Sequence, residues 1–125
     1  MTMPLAPVSW GELLDKITIL EIKVHRLRDP GAVADAAREL ALLGETCRGV
    51  GAPAEMLAGL RAVNQRLWRI EDLIREHERA ADFGPGFVAL ARSVYHENDE
   101  RGRIKRALNE ALGSALVEEK QYSTY

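Results

Sequence analysis

The sequence has one cysteine, Cys47, few aromatic residues and no long apolar run. A single cysteine excludes an intramolecular disulfide, and nothing in the sequence favours an oxidising compartment. No apolar stretch approaches the roughly 20 residues that a membrane-spanning helix needs. The first residues have neither the basic nor the apolar region of a secretory signal. The sequence therefore predicts a cytoplasmic protein with no membrane partner.

An excess of charge of one sign is also missing. Lysine and arginine total 17 against 19 aspartates and glutamates, a net charge of −2. Such a balance gives no general attraction to nucleic acid, so no nucleic-acid partner is expected. Glycine-rich phosphate loops, nucleophile elbows and zinc-binding histidine motifs are absent as well. The sequence accordingly predicts neither a cofactor nor a metal site.

Strand signals are sparse, whereas apolar residues recur at helical spacing with clear start and stop signals. Ser9 and Glu12 fit a capping box, Asp29-Pro30-Gly31 ends the first helix, and Gly84 suits a left-handed cap before Pro85. A chain of 125 residues has the length of one domain. We predict a single all-α domain over 1–125, an antiparallel bundle of about four helices. The helices cover about 10–28, 32–48, 54–81 and 85–112, followed by a tail over 114–125 whose residues 118–125 are expected to be mobile.

The first helix is apolar on more than one side. Besides a heptad seam it carries Ile19 and Ile22, and Ile22 points nearly opposite the seam residue Leu20. Either this helix is central and covered all round, or its second face forms a subunit interface. We favour a homodimer through the face of Ile19 and Ile22, because small bundles often complete their core by two-fold association.

Polar residues interrupt the inward stripes of the third and fourth helices. If the two helices run antiparallel about residue 83, these residues share one layer. Buried charges must be paired, so the layer is either a structural ion-pair network or a pocket that holds an anion. A third reading is that the stretch faces solvent. The candidate site residues are Asn64, Glu71, Glu97, Asn98, Arg101 and Lys105.

Two stretches resemble a family of small uncharacterised bacterial proteins, a domain of unknown function. One is PVSWGELLDKITILEIK over 7–23. The other combines LWRIED over 67–72, DFG over 82–84, LARSVY over 90–95 and NDER over 98–101, and ends in LGS over 112–114 and EEK over 118–120. The resemblance implies no catalytic residues. It implies a link to bacterial surface-polysaccharide metabolism and glycosyltransferases.

Two functions remain open from the sequence. The first is a non-catalytic helical binding or scaffolding module, with a protein partner or a small anionic ligand. The second is a small all-α enzyme acting on a phosphorylated or carboxylated metabolite, similar to a nucleotide pyrophosphohydrolase or a helical mutase. In that enzyme Arg101 and Lys105 would clamp the anion, and Glu71 or Glu97 would act as general acid or base.

Overall fold

A computed structural model describes residues 2–125 of the chain. Those residues form four helices and no strand. The helices are α1 (Trp10–Arg26), α2 (Pro30–Thr46), α3 (Ala54–Arg79) and α4 (Pro85–Ala111). The predicted all-α fold class is thereby confirmed.

Side-chain caps begin α1 and α2. The hydroxyl of Ser9 accepts a hydrogen bond from the Glu12 N–H at 3.1 Å, as the capping box predicts. A carboxylate oxygen of Asp29 accepts from the Ala32 N–H at 2.9 Å, and Pro30 occupies the first turn, where no N–H is needed. Because of this cap, α2 begins at Pro30, two residues earlier than expected.

The turn between α3 and α4 is closed at an alanine. Ala81 adopts a left-handed φ of 52°. Its N–H donates to the carbonyl of Glu78 at 3.0 Å, and the Asp82 N–H donates to the carbonyl of His77 at 2.9 Å. This pair of bonds is the Schellman pattern that ends many helices. Gly84, expected to be left-handed, has a φ of −76°, so that expectation is wrong.

The helices are arranged around α1. α3 and α4 form an antiparallel hairpin, and α1 packs against both of them and against α2. Among the described helices, α2 contacts α1 alone. The bundle is therefore a three-helix body of α1, α3 and α4 with α2 laid on the outer side of α1.

The buried apolar core lies at one end of the hairpin. Leu14 of α1, Leu60 of α3 and Leu108 of α4 form the central cluster. No residue between 65 and 104 is buried in the described chain. The hairpin therefore continues past the core as a two-helix extension, which we call the distal arm (Leu67–Asn98).

The second face of α1 is covered by the hairpin. Gly11, Asp15, Thr18 and Ile22 recur every three or four residues and are all buried, which places them on one stripe. Ile22 is 7% exposed, and Ile19 is half-buried. The predicted subunit interface therefore does not include Ile22, because a side chain that is buried within its own chain is not available to a second copy. Dimerisation itself stays a prediction. Over the described residues, no helix has both the length and the apolar character needed to cross a membrane.

Candidate functional site

A buried carboxylate on α1 is the centre of a polar cluster. Asp15 is 1% exposed. Its Oδ1 accepts a hydrogen bond from the Nε of Arg101 at 2.8 Å, and its Oδ2 accepts from the Nη2 of the same guanidinium. This two-point pairing suits the planar fork of arginine and is among the strongest polar contacts that proteins make. This pair thus joins α1 to α4.

α3 joins the same cluster through an amide. The Nδ2 of Asn64 donates to Asp15 Oδ1 at 2.9 Å and to the hydroxyl of Thr18 at 2.8 Å. The Thr18 hydroxyl in turn donates to the backbone carbonyl of Asp15 at 2.7 Å. Asn64 is buried, so its two donor bonds satisfy an amide group that would otherwise destabilise the core.

Lys105 extends the cluster to the chain beyond α4. It is buried, and its Nζ donates to Glu12 at 2.7 Å and to Glu118 at 2.9 Å. The same nitrogen lies 3.9 Å from Asp15 Oδ2. Glu12 was expected to reach back to the start of its own helix. Its carboxylate instead binds the ammonium group of α4.

These contacts keep both cations charged. Burial acts most strongly on Lys105 and by itself lowers its pKa, but the hydrogen bonds to Glu12 and Glu118 and the nearby carboxylate charges outweigh it, so the pKa is raised. The hydrogen bond to Asp15 raises the pKa of Arg101. The bond from Lys105 lowers the pKa of Glu118. All three groups are therefore ionised at neutral pH.

A close helix contact lies beside the cluster. The Gly11 N–H donates to Asn109 Oδ1 at 2.6 Å. A Cβ atom added to Gly11 would lie 2.5 Å from the backbone oxygen of Lys105. Glycine is therefore required for α1 to approach α4 at this distance.

The structure brings together three of the six candidate residues, Asn64, Arg101 and Lys105. Glu97 instead pairs with Arg66 at 2.9 Å across the outer side of the hairpin. Glu71 pairs with Arg75 of its own helix on an exposed surface. The layer was expected to draw its acids from α3 and α4. They come instead from α1 and the chain end, in Glu12, Asp15 and Glu118.

Asn98 lies on a groove outside the cluster. Residues 114–125, which we call the tail, contain no helix or strand and fold back along α4. The groove between the tail and α4 has a volume of about 1210 Å³. Its lining includes Val94, Asn98, Gly102, Arg106 and Tyr122. The groove is thus continuous with the edge of the polar cluster at Lys105.

The side chains of the cluster are bonded to one another and hold elements of the fold together. Among the described residues, no buried side-chain nitrogen or oxygen lacks a hydrogen-bond partner. Asp15 is held by a guanidinium and an amide, so it is not placed as a free base. No group of three or more His, Cys, Asp or Glu side chains in residues 2–125 is placed to hold a metal ion. The cluster connects α1, α3, α4 and the tail at one level of the bundle.

One protein family matches almost the whole chain. The family carries the description "Family of unknown function (DUF6165)", and the match covers residues 5–125. Both stretches that carry the resemblance lie inside this range. No curated protein and no solved structure matches the chain.

Proposed function

For this chain, which belongs to the family of unknown function DUF6165, we propose the role of a non-catalytic helical binding module. Its distal arm pairs with a second copy of the chain. The observation that carries the proposal is the complete absence of buried residues from 65 to 104, in a part of the described chain that still has regular apolar spacing.

The distal arm has apolar stripes on both of its helices. Leu67, Ile70 and Ile74 recur along α3, and Phe87, Leu90 and Val94 recur along α4. All six side chains are only half-buried. Two helices cannot cover both of their apolar stripes, and a third element normally does so. α1 performs this task at the core end. Along the arm no helix of the described chain does so, and the tail reaches only the α4 side near Val94 and Tyr95.

A second copy fits the arm for two reasons. It supplies the same two stripes, and two helical hairpins together make a four-helix bundle with a two-fold axis. The arm also carries four arginines and six acidic residues in mixed order. Interspersed charges of both signs let a surface meet its own copy without a field of one sign opposing the contact.

Sedimentation velocity of the full chain tests this proposal. We expect a species of twice the 13.9 kDa chain mass. Leu90 lies on the apolar stripe of α4 in the arm, while Leu43 lies on α2, and both side chains are half-buried. We expect Leu90→Asp to give a monomer and Leu43→Asp, the matched control, to leave the dimer. A monomeric unmodified chain, or equal effects of the two substitutions, would contradict an interface on the arm.

The polar cluster supports a binding module over the enzyme alternative. Its cations are engaged by carboxylates of the same chain, and its central acid is bonded to a guanidinium and an amide. A general acid or base needs a proton that it can exchange with a substrate. The cluster therefore serves to position α1 and the tail on the hairpin.

The resemblance supplies the process that we propose for the module, surface-polysaccharide metabolism in bacteria. Removing the chain from its host tests that assignment. We expect an altered amount or length of surface polysaccharide, restored by the unmodified chain and not by the monomeric Leu90→Asp variant. An unchanged polysaccharide would remove the assignment and leave the dimer unaffected.

A further inference from the structure

The tail is held to α4 by its acidic side chains. Glu118 accepts a hydrogen bond from Lys105 at 2.9 Å. The two carboxylate oxygens of Glu119 accept from the two terminal nitrogens of Arg106 at 3.2 and 3.3 Å. Adjacent carboxylates of the tail thus bind adjacent cations of the helix. We call Lys105 and Arg106 the cation pair.

The tail is attached to α4 by side-chain contacts, which exchange readily. The hydrogen bonds described between residues 115–125 and α4 come from side chains, namely Glu118, Glu119 and Tyr125. Arg106 and Glu119 are both largely exposed, and exposed ion pairs contribute little to stability. The contact of Glu119 with Arg106 is therefore weak enough for a competitor that carries the same charges to replace it.

We propose that the cation pair is a recognition site for an acidic peptide segment of a partner protein, which the tail fills within its own chain. Two neighbouring residues of a helix project about 100° apart. Two neighbouring residues of an extended chain also project in different directions, to opposite sides. The adjacent Glu118 and Glu119 of the tail reach Lys105 and Arg106 in this way.

The groove fits an extended peptide as well. It runs along α4 from Ala91 to Asn109, a stretch of about 27 Å at 1.5 Å per helical residue. The rings of Tyr95 and His96 lie 5.0 and 4.8 Å from the ring of Tyr125. An aromatic residue that follows the acidic pair would therefore find a second contact at the far end of the groove.

Fluorescence anisotropy with a labelled peptide of residues 114–125 tests the site. The receptor is the full chain carrying Glu118→Gln and Glu119→Gln, which frees the cation pair of its internal ligand. We expect this variant to bind the peptide about tenfold more tightly than the unmodified chain does, because a tethered segment competes at high effective concentration. A peptide with both glutamates replaced by glutamine should not bind.

Substitutions in the receptor locate the binding. Arg106→Gln, added to that receptor, should weaken binding about tenfold, as loss of a charge-assisted hydrogen bond does. Arg38→Gln on α2 is the matched control and should change nothing, because Arg38 lies on a helix that does not touch the groove. Lys105 is left intact, since it also binds Glu12 and so joins α4 to α1.

Three outcomes would overturn the proposal. The first is failure of the unaltered peptide to bind the receptor variant. The second is competition by free glutarate as strong as that of the peptide, which would make the cation pair a site for small dianions. The third is a dimer that dissociates when Glu118 and Glu119 are substituted, which would assign the site to the tail of a second copy. A dimer lost only through Leu90→Asp bears on the distal arm and leaves the cation pair untouched.

Discussion

The guanidinium of Arg101 binds the carboxylate of Asp15, which lies 86 positions earlier in the sequence, with the Arg101 Nε 2.8 Å from the Asp15 Oδ1. The carboxylate is buried and the guanidinium is partly open to water. Removing two charges from water costs free energy, which good geometry and further hydrogen bonds offset. Asn64 supplies such a bond here. The pair therefore fixes the register of α1 on the hairpin more than it adds net stability.

Replacing Asp15 with asparagine tests this relationship. The substitution leaves Arg101 and Lys105 facing each other without the carboxylate between them. Loss of one partner from a buried ion pair costs about 3–5 kcal/mol, and we expect about 3 kcal/mol here because Arg101 is partly hydrated. Urea denaturation followed by helical circular dichroism measures the change in unfolding free energy.

The control for this substitution is Glu71→Gln. Glu71 pairs with Arg75 within one exposed helix face, and such a pair contributes less than about 1 kcal/mol. Similar losses of unfolding free energy in the two variants would show that the buried pair of Asp15 contributes no more stability than an exposed pair.

Gly11 provides a test of the close approach between α1 and α4. A methyl group there would lie 2.5 Å from the backbone oxygen of Lys105, so the helices must separate. We expect Gly11→Ala to lower the unfolding free energy by about 2 kcal/mol. Gly44→Ala on α2 is the opposite control, because nothing lies within 4 Å of its added methyl group. It should raise stability by up to about 1 kcal/mol through better helix propensity. Thermal denaturation of both variants gives the comparison.

Local patterns in the sequence were sufficient for the helices. Apolar spacing and the caps at Ser9 and Asp29 are properties of neighbouring residues, and helices form where they predict them. The left-handed residue at Ala81 was missed because alanine gives no sign of that conformation. The hydrogen bonds that close the turn place the left-handed conformation at Ala81 and not at Gly84, three residues later.

The candidate site was predictable only in part. Asn64, Arg101 and Lys105 stand out as polar residues within apolar stripes of α3 and α4. Their partner Asp15 is on α1, and its position depends on how α1 crosses the hairpin, which no local pattern encodes. Its one signal is a polar residue midway between Gly11 and Thr18 on a stripe that is otherwise small or apolar. Glu71 lies on the distal arm, beyond the reach of α1, and so faces water.

Ala81 is a position where a substitution should stabilise the chain. Its φ of 52° is unfavourable for a residue with a Cβ atom. We expect Ala81→Gly to raise the unfolding free energy by about 0.5–1 kcal/mol. Ala80→Gly is the neighbouring control, since Ala80 has a φ of −83° and gains nothing from glycine. An equal or lower stability of Ala81→Gly would mean that the turn does not hold this conformation in solution.

The pair of Lys105 and Glu118 should give stability that depends on pH. The ammonium group lowers the pKa of Glu118 in the folded chain, so the unfolded state binds a proton more readily than the folded state does. The contribution of Glu118 is therefore complete above the unfolded pKa of about 4.3 and is lost as the pH falls through the lower folded value. Since Glu118 is 41% exposed, solvent screening keeps the effect to about 1 kcal/mol or less.

We expect Glu118→Gln to be less stable than the unmodified chain at neutral pH and equal to it in strong acid. Glu76→Gln, at an exposed position of α3, is the control for loss of a carboxylate outside the polar cluster. Urea denaturation midpoints from neutral pH to about pH 2 measure both differences, and a Glu118→Gln difference that persists in acid would show that the carboxylate charge is not what Lys105 binds.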